Sequence, residues 1–425
     1  TGLTMSENQN KKLKILLISD HALSTSGVGC QSRFLMNGLI EKGNWTVRQL
    51  GAAMKHSSYD VQAPHPEFII KPIDGFGNPD MIRVLLATEK PDVLMIFTDP
   101  RFYTWLWAME DEIHQVCPIA YWHVWDNYPS PDFNDDFYAS TDLINCHSYL
   151  TYGIVKEKFP DRTNFIPHAL PDELFFKLPE NQKKSFRQQL LGPNSEDKFV
   201  LFWVNRNAKR KRPNDVLWSW KLFLDKLDGE QRKNVMLLMH TDPHDQEGPN
   251  LMATSQKLGI LDTVKFSRER VGFEQMNVLH NISDACINIA FAEGFGLATL
   301  EAMKVGNPII ACKTGGLTRQ VVDHRDGSEN GVALDIVTKT LVGSQNVPYI
   351  YEDYCSVEDT AEAINKLYSM SKQEREQLGQ KAMEYVQEEF AMQKTIDLWH
   401  DSLLKLVEDW KEGKRVVPRY EIKEL

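Results

Sequence analysis

No Cys-x-x-Cys pair occurs in this chain of 425 residues, and its six cysteines (Cys30, Cys117, Cys146, Cys286, Cys312 and Cys355) are scattered. That spacing supplies neither a zinc site nor a disulfide framework. Several of these thiols lie in apolar runs, as buried free thiols do in a reducing compartment. An uninterrupted apolar run of about 18 residues, the length a spanning helix needs, is also missing. No secretory leader is recognised, so a soluble cytoplasmic protein is expected, with peripheral membrane contact left open. Positive charge is in deficit: 48 Lys and Arg face 59 Asp and Glu, a formal net charge of −11. A generally basic face for nucleic acid is therefore not advertised, although a local patch is compatible with the balance. Repeats of solenoid length are absent.

What is present is ordinary for a globular protein, with 42% hydrophobic and 25% charged residues. The length exceeds one ordinary core and predicts two domains. Thr1-Gly-Leu-Thr ahead of Met5 reads as a cloning remnant, and 1–12 as a tag or disordered leader. Lys14–Asp20 reads as a buried strand, Ser24–Gly29 as a loop of small residues, Cys30–Lys42 as a helix stopped by Gly43, and Trp45–Leu50 as the next strand. This is a βαβ opening with glycine in its first turn. The alternation continues with helix Pro79–Glu89, strand Asp92–Phe97, helix Phe102–Val116 and strand Pro118–Val124. A loop rich in Asp, Asn and Pro (126–136), strand Leu143–Cys146, helix Thr151–Lys158 and strand Asn164–Pro167 come next.

Residues 171–198 shift toward Pro, Glu, Asn, Gln and Lys and read as an interdomain crossing with a helical Lys183–Leu191. A second alternation then begins. Its predicted strands are Phe199–Val204, Val235–His240, Val264–Phe266, Ala285–Phe291 and Pro308–Cys312. Its helices are Val216–Leu227, Pro249–Leu258, Phe273–Asn281, Leu297–Val305 and Thr318–Val322. Residues 325–353 look like an irregular inserted loop. Helices Glu358–Tyr368, Lys372–Phe390 and Met392–Glu412 finish the pattern. The domain reading is 1–12, 13–180, 181–390 and a terminal segment 391–425.

One stretch concentrates chemistry: Phe291-Ala-Glu293-Gly-Phe-Gly-Leu-Ala-Thr-Leu-Glu301. It leaves a buried strand, turns at Gly294 and Gly296, and enters a helix through Leu297, Leu300 and Met303. Ligands of open α/β sheets bind at such strand ends. A turn relieved by glycine exposes amides at a helix start, which suits an anion. Two carboxylates accept from hydroxyls, so phosphate and diol together describe a nucleotide-sugar. A second feature, Asn205-Arg206-Asn-Ala-Lys209-Arg210-Lys211-Arg212, lies just after the first strand of the second half. Arg offers a fork to phosphate oxygens and Lys a point charge.

With its Glu-x7-Glu motif on a strand, turn and helix, followed by Gly306-Asn-Pro-Ile-Ile-Ala and Thr314-Gly-Gly-Leu, the second half resembles the C-terminal domain of retaining GT-B glycosyltransferases of the large family-4 group (glycosyl transferases group 1). The resemblance covers Phe199 to about Val322; the first half matches only in layout and a few loops. It implies an α/β fold of GT-B type, two doubly wound Rossmann-like domains facing a central cleft, with the last helix returning to the first domain. It also assigns roles. Glu301 accepts from the ribose hydroxyls and Glu293 contacts the donor sugar. The amides of Phe295, Gly296 and Leu297 meet phosphate or sugar oxygens. Arg206 and Lys211 neutralise the diphosphate, with the inward-facing member of Lys209, Arg210, Lys211 and Arg212 left open. Phe266 lies where the nucleobase is held. In the first half, Gly27 and Gly29 approach the diphosphate or acceptor, and His123 at a strand end contacts the donor sugar near the reacting centre. Asp126 and the Asp-rich loop after it read as solvated, and His168 as structural.

Asp-x-Asp, which holds Mg²⁺ or Mn²⁺ in the GT-A type, is absent. The resemblance thus implies cations and a helix start in place of a metal, and no permanently bound cofactor. The implied activity is retaining hexosyl or pentosyl transfer from a nucleoside-diphosphate sugar of GDP or UDP type, GDP being suggested by Asn205-Arg206-Asn207 before a basic run. The acceptor hydroxyl belongs to a glycan, lipid carrier, protein or modified nucleic-acid base. Alternatives are a GT-B-fold nucleotide-sugar epimerase and a non-catalytic nucleotide-sugar binder. Oligomeric state is not read from the sequence.

Overall fold

The computed structural model describes residues 11–53, 58–418 and 424. The expected leader 1–12 lies outside them except for Lys11 and Lys12. Two compact units result. The first takes the chain to Trp125, Ser130–Ala169 and everything from Met392; the second takes Asp126–Pro129 and Leu170–Ala391. Among the described residues no helix is long and apolar enough to cross a membrane.

The first unit is built on strands β1 (Leu13–Asp20), β2 (Trp45–Ala52), β3 (Gln62–His65), β4 (Phe68–Pro72), β5 (Val93–Phe97), β6 (Ile119–His123), β7 (Leu143–Cys146) and β8 (Thr163–Phe165). They form one sheet in the order β3-β4-β2-β1-β5-β6-β7-β8, parallel except for the β3–β4 pair. Parallel strands are covered on both faces, so they read as continuous apolar runs. β1 shows the consequence: Ile15 and Leu17 enter one core with Trp45, Trp122 and Trp399, while Leu16 and Ile18 enter the other with Ile82, Trp107 and Tyr121. The terminal helix Met392–Lys411 packs in the first of these cores against helix Gly27–Glu41. The approach is close because a Cβ on Gly38 would stand 2.2 Å from the Ile396 Cδ1.

In the second unit the strands are β9 (Phe199–Val204), β10 (Val235–His240), β11 (Val264–Ser267), β12 (Ala285–Asn288), β13 (Ile309–Cys312) and β14 (Gly331–Leu334), with a hairpin β15 (Thr338–Val342) and β16 (Ile350–Tyr354). The six-stranded sheet is parallel in the order β11-β10-β9-β12-β13-β14. Strand order therefore reverses between β9 and β12, and their carboxyl ends are the expected place for a ligand.

Two expectations need correction. The helix 102–116 is broken into a turn Pro100–Tyr103 and helices Thr104–Ala108 and Glu110–His114, with Met109 at φ −107°, ψ 22°. At 100° per residue, one continuous helix would spread Tyr103, Leu106, Trp107, Met109 and Ile113 over roughly 160°. The break lets all five be buried. Residues 325–353 are not irregular: they supply β14 and the antiparallel hairpin β15–β16. Helix Glu180–Leu191 belongs to the second unit. There Arg187 reaches the Ile282 carbonyl at 3.0 Å and Asp284 at 2.9 Å.

Candidate active site

Two loops meet at the switch point of the second sheet. The loop after β9 makes a 3₁₀ turn at Lys209–Lys211 and ends on Arg212 in the left-handed region (φ 55°). The loop after β12 carries Glu293 into helix Leu297–Lys304. They join where the Phe291 amide donates to the Arg210 carbonyl at 3.2 Å.

Each cation of the first loop has a separate destination. Lys211 Nζ pairs with Glu293 Oε2, both side chains being nearly buried. Arg210 stands 3.7 Å from Asp126. Arg212 points into the protein, onto Asp215 at 2.8 Å and the carbonyl of Cys355 at 3.1 Å. Arg206 is exposed and bonds Asp245 at 3.2 Å. Among the four candidates, Lys211 is thus the one whose ammonium joins the glutamate motif.

Glu293 also accepts from Asn288 Nδ2 at 3.2 Å. Burial pushes its carboxyl up, but Lys211 first, then Arg210 and the hydrogen bonds outweigh it and hold the group below the usual carboxylate range. Glu301 is reached from behind: His280 Nε2 lies 3.0 Å from Glu301 Oε1, and the imidazole is fully buried beside Phe202. A carboxylate accepts, so Nε2 carries the proton, and His280 Nδ1 has no hydrogen-bond partner among the described residues. The second oxygen of Glu301 is not used by His280.

Between the carboxylates the turn is locked from its carbonyl side. Gln320 Nε2 donates to the carbonyls of Phe295 (2.8 Å) and Gly296 (2.9 Å), and Thr299 Oγ1 donates to Gly296 O at 2.9 Å. Gly296 sits at φ 92°, and no side chain caps the helix it opens. Gly315 (φ 48°) lies against the same turn: a Cβ there would fall 1.9 Å from the Glu293 carbonyl and 2.9 Å from the Asp126 carbonyl. The Gly316 amide donates to Glu293 O at 3.0 Å. With the carbonyls occupied, the uncapped helix start presents positive potential between two carboxylates and Lys211.

The segment Asp126–Pro129 is held by the same unit and is not a wholly solvated loop. Asn127 Nδ2 donates to Asp353 Oδ2 at 2.8 Å, Tyr351 N donates to the Tyr128 carbonyl at 2.8 Å, and Thr314 Oγ1 donates to Asp353 at 2.8 Å. Phe266 is half-buried on edge strand β11, paired in register with Met239 of β10.

In the first unit, Ser26 caps helix Gly27–Glu41, accepting from the Gly29 amide at 3.0 Å and donating to Asp20 at 2.8 Å. Gly27 is the first residue of that helix. The missing Cβ of Gly29 is matched by the protein itself, since it would stand 2.1 Å from Ser24 Oγ. His123, at the end of β6, is fully buried. Its Nδ1 lies 3.0 Å from the Tyr121 hydroxyl and its Nε2 2.7 Å from that of Tyr138. Burial, helped by His147, pushes its pKa down to about 3. The ring is therefore neutral and both nitrogens are engaged within the unit. His168 packs among Phe97, Trp122 and His147.

Sequence reasoning missed His280, Asn288, Gln320 and Asp353. His280, Gln320 and Asp353 act from distant elements with no local pattern to signal the role, while Asn288 ends β12 five residues before Glu293 and reads there as one more residue of a buried strand.

These features define a class before they define a family. The fold is GT-B. The chain superposes on sucrose-phosphate synthase from Thermosynechococcus elongatus with a TM-score of 0.69 at 17% identity, covering 95% of this chain and 99% of that one. It also superposes on the Anabaena protein HepE, solved in complex with UDP and glucose, at 0.66 and 14% identity, covering 92% and 99%. Residues 183–385 match the family described as Glycosyl transferases group 1; the second unit belongs to that family. A D-inositol 3-phosphate glycosyltransferase of Stackebrandtia nassauensis is 31% identical over 174 residues, which are 40% of this chain and 37% of that protein. The match thus spans little more than a third of that relative's length.

Proposed function

We propose that this chain is a retaining glycosyltransferase that moves a sugar from a nucleoside-diphosphate sugar to an acceptor hydroxyl without a metal ion. The observation that carries the reading is the paired arrangement Lys211–Glu293 and His280–Glu301 around an uncapped helix start at the switch point of the second sheet. Glu301, oriented by His280, takes the ribose diol through its remaining oxygen. Lys211 and the amides at Gly296 and Leu297 face the diphosphate, and Arg206 or Arg210 adds charge from the same loop. Glu293 contacts a hydroxyl of the transferred sugar. The solved neighbour holding UDP and glucose favours UDP over GDP.

In the reaction the bond from the anomeric carbon to the phosphate oxygen breaks. The acceptor oxygen bonds that carbon on the same face, and the acceptor proton passes to the departing phosphate. The chain then supplies positioning and stabilisation of the charge on the leaving diphosphate. His123, buried and neutral, acts on this chemistry only through the strand end it braces. Calorimetry with UDP and GDP, followed by diphosphate release from UDP-sugars with and without candidate acceptors, tests the proposal. Failure of both nucleotides to bind defeats it; conversion of the donor into an isomer without acceptor assigns the site to an epimerase.

A further inference from the structure

One buried carboxylate outside the motif gathers donors from the segments that border Glu293. Asp353, on β16, is 3% exposed. A charge so buried persists only when paired and hydrogen-bonded. Its Oδ2 accepts from Thr314 Oγ1 and from Asn127 Nδ2, each at 2.8 Å. Its Oδ1 accepts from the ammonium of Lys339, the residue opposite it on β15. Its amide donates to the Phe291 carbonyl at 2.7 Å, two residues ahead of Glu293. Each side-chain neighbour of Oδ2 stands next to a group that touches the Glu293 loop. Thr314 opens the turn in which the Gly316 amide donates to the Glu293 carbonyl at 3.0 Å, and a Cβ on Gly315 would meet that oxygen at 1.9 Å. Asn127 follows Asp126, which stands 3.7 Å from Arg210, and the Arg210 carbonyl accepts from the Phe291 amide at 3.2 Å. Thr314 and Asn127 are themselves buried, so their donors find no water if Oδ2 is removed. Glu301 is held separately, by His280.

We propose that Asp353 is a positioning residue for the sugar half of the donor: through Thr314 and Asn127 its Oδ2 sets the Gly315–Gly316 turn and Asp126 against the loop of Glu293, while His280 serves the nucleoside half through Glu301. The inference rests on the donor reading given under Proposed function. A displacement of about 1 Å in a group that orients the reacting sugar costs about 100-fold in rate, whereas UDP alone does not need that group. The side chain can be altered without releasing the hairpin. The Asp353 amide stays on the Phe291 carbonyl, and the Tyr351 amide stays on the Tyr128 carbonyl at 2.8 Å.

The test sets turnover against nucleotide binding in the full chain. UDP affinity is read by calorimetry. The kcat and KM are read from UDP release, with whichever of UDP-glucose, UDP-galactose and UDP-N-acetylglucosamine the wild type turns over fastest. Thr314→Val keeps the shape and removes one donor. It should lower kcat by about 10- to 100-fold and leave UDP affinity within about threefold of wild type. Thr314→Ser keeps the hydroxyl and should recover the turnover that Thr314→Val loses. Asp353→Leu should lose kcat at least as far as Thr314→Val. Asp353→Asn keeps an oxygen for Thr314 and Asn127 and should retain most of it, as should Lys339→Met, which removes only the ion pair. Thr314→Val guards against misfolding of Asp353→Leu, because it leaves the carboxylate in place. Equal losses of UDP affinity and kcat in Thr314→Val mean a general structural role and overturn the proposal, as does a Thr314→Ser variant no better than Thr314→Val. A wild type that binds UDP and turns over a UDP-sugar, matched by Thr314→Val and Asp353→Leu, overturns this inference alone. A wild type that neither binds UDP nor turns over a UDP-sugar overturns the donor reading and this inference together.

Discussion

Replacing Lys211 by Met strips a buried carboxylate of its cation, because Glu293 is 8% exposed and pairs with that ammonium. Removing one member of a buried pair costs about 3–5 kcal/mol. The Asn288 bond at 3.2 Å and Arg210 remain, so the low end, about 3 kcal/mol, applies. In a unit of this size each kcal/mol moves the midpoint by about 2–4 °C, which gives a fall of about 6–12 °C at neutral pH. The pH dependence carries the sign. In the wild type Glu293 titrates below its ordinary value, so its contribution is full above the unfolded pKa and is lost as pH falls through the folded one. In Lys211→Met burial prevails and the carboxyl rises above its unfolded value. Its contribution is then present in acid and lost as pH rises through the folded value. Scanning calorimetry at pH 7.5 and pH 5 should therefore show a deficit that shrinks in acid. Adding Glu293→Gln, which removes the stranded charge, should restore most of the midpoint at pH 7.5. If the double variant is no more stable there than Lys211→Met, or if the single variant melts with the wild type, the pair does not have the burial and charge described.

Glu301→Ala should weaken UDP binding by about 10- to 100-fold, the worth of one or two hydrogen bonds to a charged acceptor, in calorimetry at constant salt. His280→Phe should cost about tenfold or less in the same titration, because it removes the group that orients Glu301 and leaves the carboxylate in place. Gly315→Ala should lower the stability of the second unit by about 3 kcal/mol, since φ 48° and a backbone atom 1.9 Å from the new Cβ combine strain with overlap; an unchanged melting midpoint would contradict the packing of the two glycine turns. For His123, folded pKa about 3 against 6.5 unfolded, stability is full above the unfolded value and is lost as pH falls toward 3. His123→Phe should flatten that acid limb, and the pH profile of donor turnover in the wild type should carry no inflection from this residue between pH 5 and 9.

How much of the fold is legible in the sequence depends on what each element has to bury. β9, β10, β12 and β13 lie inside a sheet covered on both faces, so each is an apolar run with turn residues at its ends and reads directly from sequence. The hairpin β15–β16 buries little: four of the five residues Thr338–Val342 are exposed, so no periodicity marks them, and the surrounding glycines and Pro348 read as loop. β3 and β4 escape sequence reading for a related reason. Gln62–His65 is exposed throughout, and Phe68-Ile-Ile-Lys-Pro is too short to separate from a connecting segment.

The site divides along the same line. The glutamate motif and the basic loop are contiguous in sequence and visible there, because strand, turn and helix order the ligand groups locally. The choice of Lys211 over its neighbours is not legible, since it depends on the left-handed turn at Arg212 that sends one guanidinium inward to Cys355 while the preceding ammonium turns to Glu293. His280 is 21 residues from Glu301 and Gln320 is 24 from Gly296; both act through packing that only the sheet order produces. His123 shows the converse. A histidine at a strand end between aromatics looks available in sequence, yet the two hydroxyls that engage its nitrogens come from Tyr121 on its own strand and Tyr138 beyond the next loop. A neutral, doubly bonded imidazole is a brace for the end of β6, and in this chain the charges proposed to meet the donor come from the second unit.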